Sequence, residues 1–306
     1  MSMDSGDQHC DTSNGYVHLH NPHLKTMASD FLYHFNLGTA THDLPAMFGD
    51  VKFVVVGGSP TRMGKFARFI HQELGLPDSE EPRDLADTDR YGMFKAGPVL
   101  SVSHGMGMPS MSIMLNELLK LLYHARCSNV VMFRMGTSGG LGLEPGTVVI
   151  SKAAVDACFR PRYTQIVLGK ETSRPSELDQ SLVDELLHVA GQEDGVTAVT
   201  GNTMCANGFY EEQGRLDGAF CDYTEDDKLQ YLQRARDAGV RNIEMESLCF
   251  AALCKNAGVK AGVVCVTLVD RLRGDQVTTP HDTLKEWELR PQKLLARFIR
   301  SRLGIK

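Results

Sequence analysis

The sequence predicts one α/β domain with a mixed central sheet flanked by helices. Short runs rich in β-branched residues alternate with amphipathic segments along most of the 306 residues, and this alternation is typical of α/β folds. The composition, 42% hydrophobic and 23% charged, is that of an ordinary globular protein. No low-complexity linker divides the chain, and the charged segment 78–89 is too short to separate two domains.

Six apolar runs are predicted to be strands that are covered on both faces. The runs are continuous rather than alternating, which indicates strands with helices on both sides of the sheet. They are Val51–Val56, Val99–Ser103, Val130–Phe133, Thr147–Ser151, Val196–Thr200 and Gly262–Val269.

The first strand leads into a helix whose ends the sequence marks. Ser59 can cap its N-terminus and Pro60 suits its first turn, whereas Gly75 and Pro77 end it. A second helix carries an apolar stripe between residues 111 and 122. Further helices are expected near 178–190, 226–238, 247–257 and 284–303.

Charge and composition exclude several classes of protein. A net charge of −6 argues against a general nucleic-acid surface, and no apolar stretch approaches the roughly 20 residues that span a bilayer. The eight cysteines are scattered, without a Cys-x-x-Cys pair or zinc-ligand spacing. We therefore expect no metal and a reducing, cytoplasmic location. Residues 1–20 are predicted to be a disordered polar tail, and residues 21–306 to be the domain.

Two arginines, Arg62 and Arg134, lie where predicted strands end and an anion could bind. Gly58 to Arg62 places backbone N–H groups and an arginine at a helix N-terminus, where the helix dipole favours an anion. By itself this segment could equally be a simple strand-to-helix turn. A third arginine, Arg90, would by itself be assigned to a solvated loop.

Arg134 directly follows an apolar strand and should be largely buried. A buried guanidinium needs an anion or several acceptors, because an unpaired buried charge costs about 3–5 kcal/mol. The partner could be a fixed carboxylate. However, residues 136–140 are Gly-Thr-Ser-Gly-Gly, which lets a ligand approach the backbone and supplies hydroxyl donors. We therefore favour a ligand anion.

Four motifs occur in the order typical of one known family. They are Gly58–Arg62, Arg134–Gly140, Phe209–Arg215 and Asn242–Ser247. Together they resemble the nucleoside phosphorylase family, whose members act on purine nucleosides or uridine, and most of all its vertebrate members that act on uridine. The similarity extends from about His34 to the C-terminal helix. It implies a single domain with a mixed, partly closed central sheet flanked by helices.

The resemblance implies a phosphate site that two subunits share. The residues implied to bind phosphate within their own subunit are Gly58, Arg62, Arg134 and Thr137. Arg90 is implied to reach phosphate from the neighbouring subunit, which would also supply His34 to the ribose 5′-hydroxyl. A homo-oligomer, at least a dimer with shared active sites, follows from this arrangement.

Glu246 is similar to the family's ribose carboxylate. An ionised carboxylate can accept hydrogen bonds from two adjacent hydroxyls, and Met245 beside it offers a flat apolar surface for the sugar. Without the family pattern, Glu246 would be assigned to a helix start, where the dipole stabilises a negative charge.

Gln213 and Arg215 are similar to the family's pyrimidine-binding pair. They are two residues apart, so an extended segment would point both side chains to one side. The glutamine amide matches the O4 and N3–H edge of uracil, and Arg215 supplies donors to a carbonyl. Phe209 is expected against the ring or the ribose, and Arg271 is expected to back the pair.

The function implied by the resemblance is phosphorolytic cleavage of uridine to uracil and ribose 1-phosphate. The catalytic residues would be Arg134, Arg215, Glu246 and Gln213. No cofactor or metal is implied, since phosphate is a co-substrate. The expected partners are uridine, phosphate and a second copy of the chain, without nucleic acid or membrane.

Three alternative functions remain. A purine nucleoside phosphorylase of the same fold is one, because Asp270 lies near the point where some purine-specific relatives carry an acid; the Gln213–Arg215 pair argues against it. A nucleoside hydrolase would have no use for three arginines. An inactive nucleoside-binding homologue is the third.

Glu212 departs from the family pattern, which has glycine before Gln213.

Overall fold

The computed structural model describes residues 15–192 and 197–305. Within these ranges the strands are β1 (Phe31–Leu32), β2 (Leu37–Gly38), β3 (Phe53–Gly57), β4 (Met93–Ala96), β5 (Val99–Ser103), β6 (Val131–Gly140), β7 (Val148–Val155), β8 (Arg162–Val167), β9 (Lys170–Pro175), β10 (Ala198–Cys205), β11 (Val240–Glu244) and β12 (Lys260–Asp270). The α-helices are α1 (Leu44–Phe48), α2 (Pro60–Glu73), α3 (Gly107–His124), α4 (Gln180–Ala190), α5 (Glu225–Asp237), α6 (Ser247–Asn256) and α7 (His281–Arg302).

Eight strands form one mixed sheet in the order β11-β10-β7-β12-β6-β3-β5-β4. The pairings of β6 with β3 and with β12 are parallel, whereas β12 pairs antiparallel with β7. The last residues of β6, Gly139 and Gly140, also pair antiparallel with β11. Five strands therefore close into a barrel and three extend from it, which confirms the predicted mixed, partly closed sheet.

The predicted strands β3, β5, β6, β7 and β12 are largely buried on both faces, as their continuous apolar runs predicted, whereas residues 198–200 of β10 are only half-buried. In β3, Val54 and Val56 pack into one hydrophobic cluster with α3 and α6. Phe53 and Val55 point the other way, into a second cluster with α2, α4 and α7. Alternate side chains of one strand thus feed two separate cores.

Each predicted strand and helix has a counterpart in the structure, with ends shifted by a few residues. The chief difference is β6, which continues through the glycine-rich segment to Gly140. Elements that the sequence did not predict are α1, β4, β11 and the hairpins β1–β2 and β8–β9. β11 escaped prediction because Arg241 and Asn242 interrupt its apolar pattern, and β8–β9 because it is largely exposed and polar.

The predicted tail is too long at its C-terminal end. Tyr16 forms an isolated bridge with Ser128, Val17 is buried in the first cluster, and the His18 N–H donates to the Ala257 carbonyl at 3.0 Å. Residues 15–20 thus lie against the domain. The remainder of the predicted tail, residues 1–14, lies outside the described residues.

The described residues contain neither a candidate membrane helix nor a candidate metal cluster. Among the described helices, none combines the length and apolarity that a membrane crossing requires. Within residues 15–192 and 197–305, no group of three or more His, Cys, Asp or Glu side chains is placed to hold a metal ion.

Candidate active site

The ends of three strands bring together the predicted phosphate and ribose segments. After β5, the His104 N–H donates to the Gly57 carbonyl at 2.8 Å, and the Gly105 N–H donates to Gly58 at 3.0 Å. Further along the same loop, the Gly107 N–H donates to Oε1 of Glu246 at 2.7 Å. The carboxyl ends of strands are where α/β sheets form ligand sites.

Arg134 is buried between two carboxylates. It is 3% exposed, its Nη2 lies 2.7 Å from Oε2 of Glu244, and the same nitrogen contacts Oε2 of Glu246. Burial by itself would lower the pKa of Arg134, but the two glutamates raise it well above its ordinary value. The sequence favoured a ligand anion as the partner of Arg134. In the structure its partners are two fixed carboxylates, the alternative that the sequence also left open.

The two glutamates have different roles at the start of α6. Glu244 accepts from the N–H groups of Glu246 and Ser247, each at 3.0 Å. These are unpaired donors of the helix N-terminus, so Glu244 and not Glu246 satisfies them. Burial raises the pKa of Glu244, and the charge of Glu246 raises it further against the opposing effect of Arg134.

Glu246 points away from the helix and into the site. Burial would raise its pKa, but Arg134, His104 and the Gly107 N–H lower it to about 2. Glu246 is therefore ionised throughout the neutral range. Met245 beside it is half-buried.

The glycines of β6 make room for arginine side chains. A Cβ on Gly136 would lie 2.3 Å from Nη1 of Arg134, and a Cβ on Gly139 would lie 2.7 Å from Cγ of Arg271. The sequence predicted a strand only as far as Phe133, followed by a glycine-rich segment whose backbone a ligand can approach. It is instead a strand, and Ser138 uses its hydroxyl within the sheet by donating to the Val266 carbonyl and accepting from Asn242.

His104 is a buried neutral imidazole beside the charged cluster. It is 2% exposed, and neither ring nitrogen has a hydrogen-bond partner among the described residues. Burial and the charge of Arg134 lower its pKa to about 3, against the opposing effect of Glu246. His104 therefore adds no charge to the site at neutral pH.

The predicted phosphate residues Arg62 and Thr137 line one pocket together with Gly136 and Glu288. The Ser59 hydroxyl caps α2 by accepting from the Arg62 N–H at 3.2 Å, so the predicted cap is confirmed. Nη2 of Arg62 donates to Oε1 of Glu288 at 3.0 Å. Arg62 thus has a carboxylate partner of its own.

A second buried charge cluster holds the predicted base-binding pair. Arg271 is fully buried and donates to the Gln213 carbonyl at 2.9 Å and to its side-chain Oε1 at 3.4 Å. Burial and the charge of Arg215 lower the pKa of Arg271. Asp275 accepts from Arg271 at 3.0 Å and from Lys228 at 2.9 Å. Arg271 therefore holds Gln213 in position.

Arg215 stacks on Phe209 and does not lie in an extended segment. Its guanidinium carbon is 4.0 Å from the centre of the Phe209 ring, and its Nη1 donates to the Asp275 carbonyl at 2.6 Å. The predicted extended geometry is wrong, because Glu211–Gln213 forms a 3-10 turn that Gly214 ends in the left-handed region, at φ 63°. The turn still buries both Gln213 and Arg215.

The two departures from the family pattern both have structural roles. Glu212 accepts from the N–H groups of Asn207 and Gly208, at 2.5 and 2.8 Å, and so fixes the loop before Phe209. Asp270 accepts from the N–H groups of Gly142 and Leu272, at 2.9 and 3.1 Å. The Asp270 carboxylate is thus used to hold a turn.

His34 and Arg90 lie apart from the buried cluster. Arg90 has a side chain that is 66% exposed and pairs with Asp89 at 3.5 Å. Nδ1 of His34 contacts Glu117 at 2.7 Å, and its ring centre is 6.2 Å from that of Tyr91. The two residues predicted to serve a neighbouring subunit therefore lie on one side of the molecule.

Comparisons with known proteins identify the family of this chain. The model of the phosphorylase superfamily matches residues 52–300. The chain is 60% identical to uridine phosphorylase 1 of Mus musculus, covering 94% of each protein. It is 57% identical to uridine phosphorylase 2 of Homo sapiens, covering 95% of this chain and 92% of the human protein. The chain belongs to the uridine phosphorylase family.

A solved structure shows the same fold in this family. It is a uridine phosphorylase of the oomycete Phytophthora capsici, with a TM-score of 0.91 and 44% identity, and the match covers 95% of this chain and 99% of that one. The single α/β domain with its closed mixed sheet is thus the uridine phosphorylase family's architecture.

Several residues of this family member's site were not identified from its sequence. They are Glu244, His104, Glu288, Asp275 and Glu117. Glu244 was within a recognised motif, and an acidic residue just before a helix N-terminus, where the dipole favours a negative charge, is a signal that could have revealed it. His104, Glu288 and Glu117 lie far in sequence from the arginine or histidine that they neighbour, so no local pattern marks them. Asp275 follows Arg271 by four residues, a spacing that could have suggested the ion pair.

The buried charge cluster of Asp275, Arg271 and Lys228 is predicted to stabilise the fold. Asp275→Asn should lower the free energy of unfolding by about 3–5 kcal/mol, because it leaves the buried Arg271 and Lys228 without their carboxylate. Urea denaturation followed by circular dichroism measures the change. The control is Asp217→Asn, whose side chain is 26% exposed and 3.8 Å from Arg215. Equal losses in the two variants would contradict the cluster's importance.

Proposed function

We propose that this protein cleaves uridine with inorganic phosphate to give uracil and ribose 1-phosphate. The observation that carries the proposal is the Glu246 carboxylate held by Arg134 and by the Gly107 N–H. The Glu246–Arg134 pair lies beside the Gly57–Gly58 segment, and the same chain also carries the buried pair Gln213 and Arg215. The relatives named uridine phosphorylase support the same reaction.

Glu246 is suited to hold the ribose. Each carboxylate oxygen already accepts one hydrogen bond, Oε1 from Gly107 and Oε2 from Arg134, and each has a further lone pair for a sugar hydroxyl. Because Arg134 and the Gly107 N–H fix the carboxylate, little ordering remains when the sugar binds. Met245 would lie under the ring.

Phosphate would bind beside Arg134. Arg62 and Thr137 share a pocket, and Gly58 lies at the N-terminus of α2, where unpaired N–H groups favour an anion. In our proposal Arg90 of a second subunit adds the last positive charge, and His34 of that subunit reaches the 5′-hydroxyl. The active assembly would then be a homodimer with shared sites.

Stabilisation of the departing base would supply much of the rate. As the glycosidic bond breaks, negative charge spreads to O2 and O4 of uracil, and positive charge develops on the sugar. Gln213 and Arg215 would donate to the base, and one such fixed donor is typically worth about 2.7–4 kcal/mol. Phosphate would attack the opposite face of C1′ and stabilise the developing cation. In this proposal the reaction needs no cofactor and no metal, and it takes place in the cytoplasm.

A purine substrate is the second candidate, and the contacts of Asp270 argue against it. An acid that protonates a purine base must point at the base, whereas the Asp270 carboxylate accepts from the backbone N–H groups of Leu272, in its own turn, and of Gly142, just after β6. An inactive nucleoside-binding homologue would bind uridine without cleaving it.

The first test is the reaction itself. We expect uracil release from uridine only when phosphate is present, and little base release from inosine or adenosine, measured by chromatography. Release without phosphate would identify a hydrolase, and faster cleavage of inosine would reverse the base assignment.

Removing the donor of Arg215 should slow turnover more than it weakens binding. Arg215→Ala should reduce kcat about 10²- to 10³-fold, the usual scale for one transition-state donor. Steady-state kinetics with uridine separate kcat from KM. If kcat held and only KM rose, Arg215 would contribute ground-state binding instead.

Mixed dimers test whether Arg90 serves a neighbouring subunit. The two variants to be mixed are Arg90→Gln and Arg62→Gln. Arg62 is chosen because it is partly exposed, whereas removing Arg134 would leave two buried carboxylates unpaired. Each variant alone should be nearly inactive. After unfolding and refolding of an equal mixture, half of the dimers are hybrids and each hybrid has one intact site. The expected recovery is about a quarter of wild-type activity.

Tagged chains confirm that hybrids form in that experiment. If Arg90 serves its own chain, every site keeps one defect and no activity returns. If Arg90 is only a solvated charge, Arg90→Gln alone should lose almost nothing.

A further inference from the structure

Glu288 places a negative charge against an arginine that the proposed function assigns to phosphate. Nη2 of Arg62 donates to Oε1 of Glu288 at 3.0 Å, and the side chains remain 28% and 30% exposed. The two residues come from different elements, α2 and α7. A carboxylate in this position already forms the ion pair with the Arg62 guanidinium that an incoming anion would otherwise form.

The pocket around this pair is too small for phosphate while Glu288 remains in it. Its lining consists of Arg62, Met135, Gly136, Thr137, Glu288 and Pro291, and about 10 Å³ remains for water-sized molecules. That is roughly the room that one water needs, and a phosphate ion is much larger. Phosphate can therefore enter this pocket only when the Glu288 carboxylate turns away.

Glu288 lies on the loosely packed half of its helix. Pro291 is inside α7 and has no N–H to donate to the preceding turn. All the buried residues of α7 are at or beyond Pro291, whereas residues 281–290 are exposed or half-buried. The Glu288 side chain can therefore turn toward solvent without disturbing the core.

We propose that Glu288 competes with phosphate for Arg62 and so sets the affinity for phosphate. Binding then exchanges one anion for another at the same guanidinium, and the attraction gained by phosphate is offset by the ion pair that is lost. The negative charge of Glu288 also opposes an approaching phosphate. This inference rests on the proposed phosphate-binding role of Arg62.

Neutralising Glu288 tests the competition. Glu288→Gln should lower KM for phosphate about two- to five-fold, the range that a partly exposed ion pair provides, and leave KM for uridine unchanged. The matched control is Glu286→Gln, two residues earlier on α7, which pairs with Arg290 at 3.2 Å and whose side chain is 68% exposed. It should change neither constant.

A direct binding measurement separates this inference from the proposed function. Calorimetric titration with inorganic phosphate should give a Kd that falls by the same factor in Glu288→Gln. If uridine is not cleaved but the Kd falls as expected, the competition stands and the proposed reaction fails. A phosphate Kd that is unchanged or higher in Glu288→Gln, or an equal fall in Glu286→Gln, would overturn the competition.

Discussion

The buried ion cluster of Arg134, Glu244 and Glu246 is the constraint around which the site is arranged. Charges this deep must be paired, because an uncompensated buried charge is among the most costly defects in a protein. Both glutamates also make contacts beyond the cluster, since Glu244 caps α6 and Glu246 holds the loop that begins α3 through the Gly107 N–H. Strands β6 and β11 and helices α3 and α6 are thereby fixed relative to one another.

Closure of the sheet makes this cluster possible. β6 pairs with β12 along its length, with β3 over its first four residues and with β11 at its end. This closure brings Arg134 to 2.7 Å from Glu244. The glycines of β6 give the arginines the space that side chains would otherwise fill. One strand thus both closes the barrel and carries the central cation.

The site divides into a rigid interior and an adjustable rim. Inside, Arg134 and Arg271 are each paired with buried carboxylates, and these pairs hold Glu246 and Gln213 in position. At the rim, Arg62 has a partly exposed partner and Arg90 is largely solvated. Fixed charges suit the recognition of a sugar and a base, whereas solvent-exposed cations can change partners when a charged substrate arrives.

The sequence by itself determined the fold class, the order of the main elements and the family. These depend on local patterns: the apolar runs of β3 and β5, the cap at Ser59, and four motifs in order. Only the tertiary structure decided the partners of the charged residues. The sequence placed Arg134 correctly in the interior but paired it with a ligand, because Glu244 and Glu246 follow it by more than a hundred residues. The ion pairs of Glu288 with Arg62 and of Lys228 with Asp275 also join residues that are distant in sequence. The physical reason is that burial follows from the neighbouring residues along the chain, whereas charge pairing depends on which strands and helices the fold brings together.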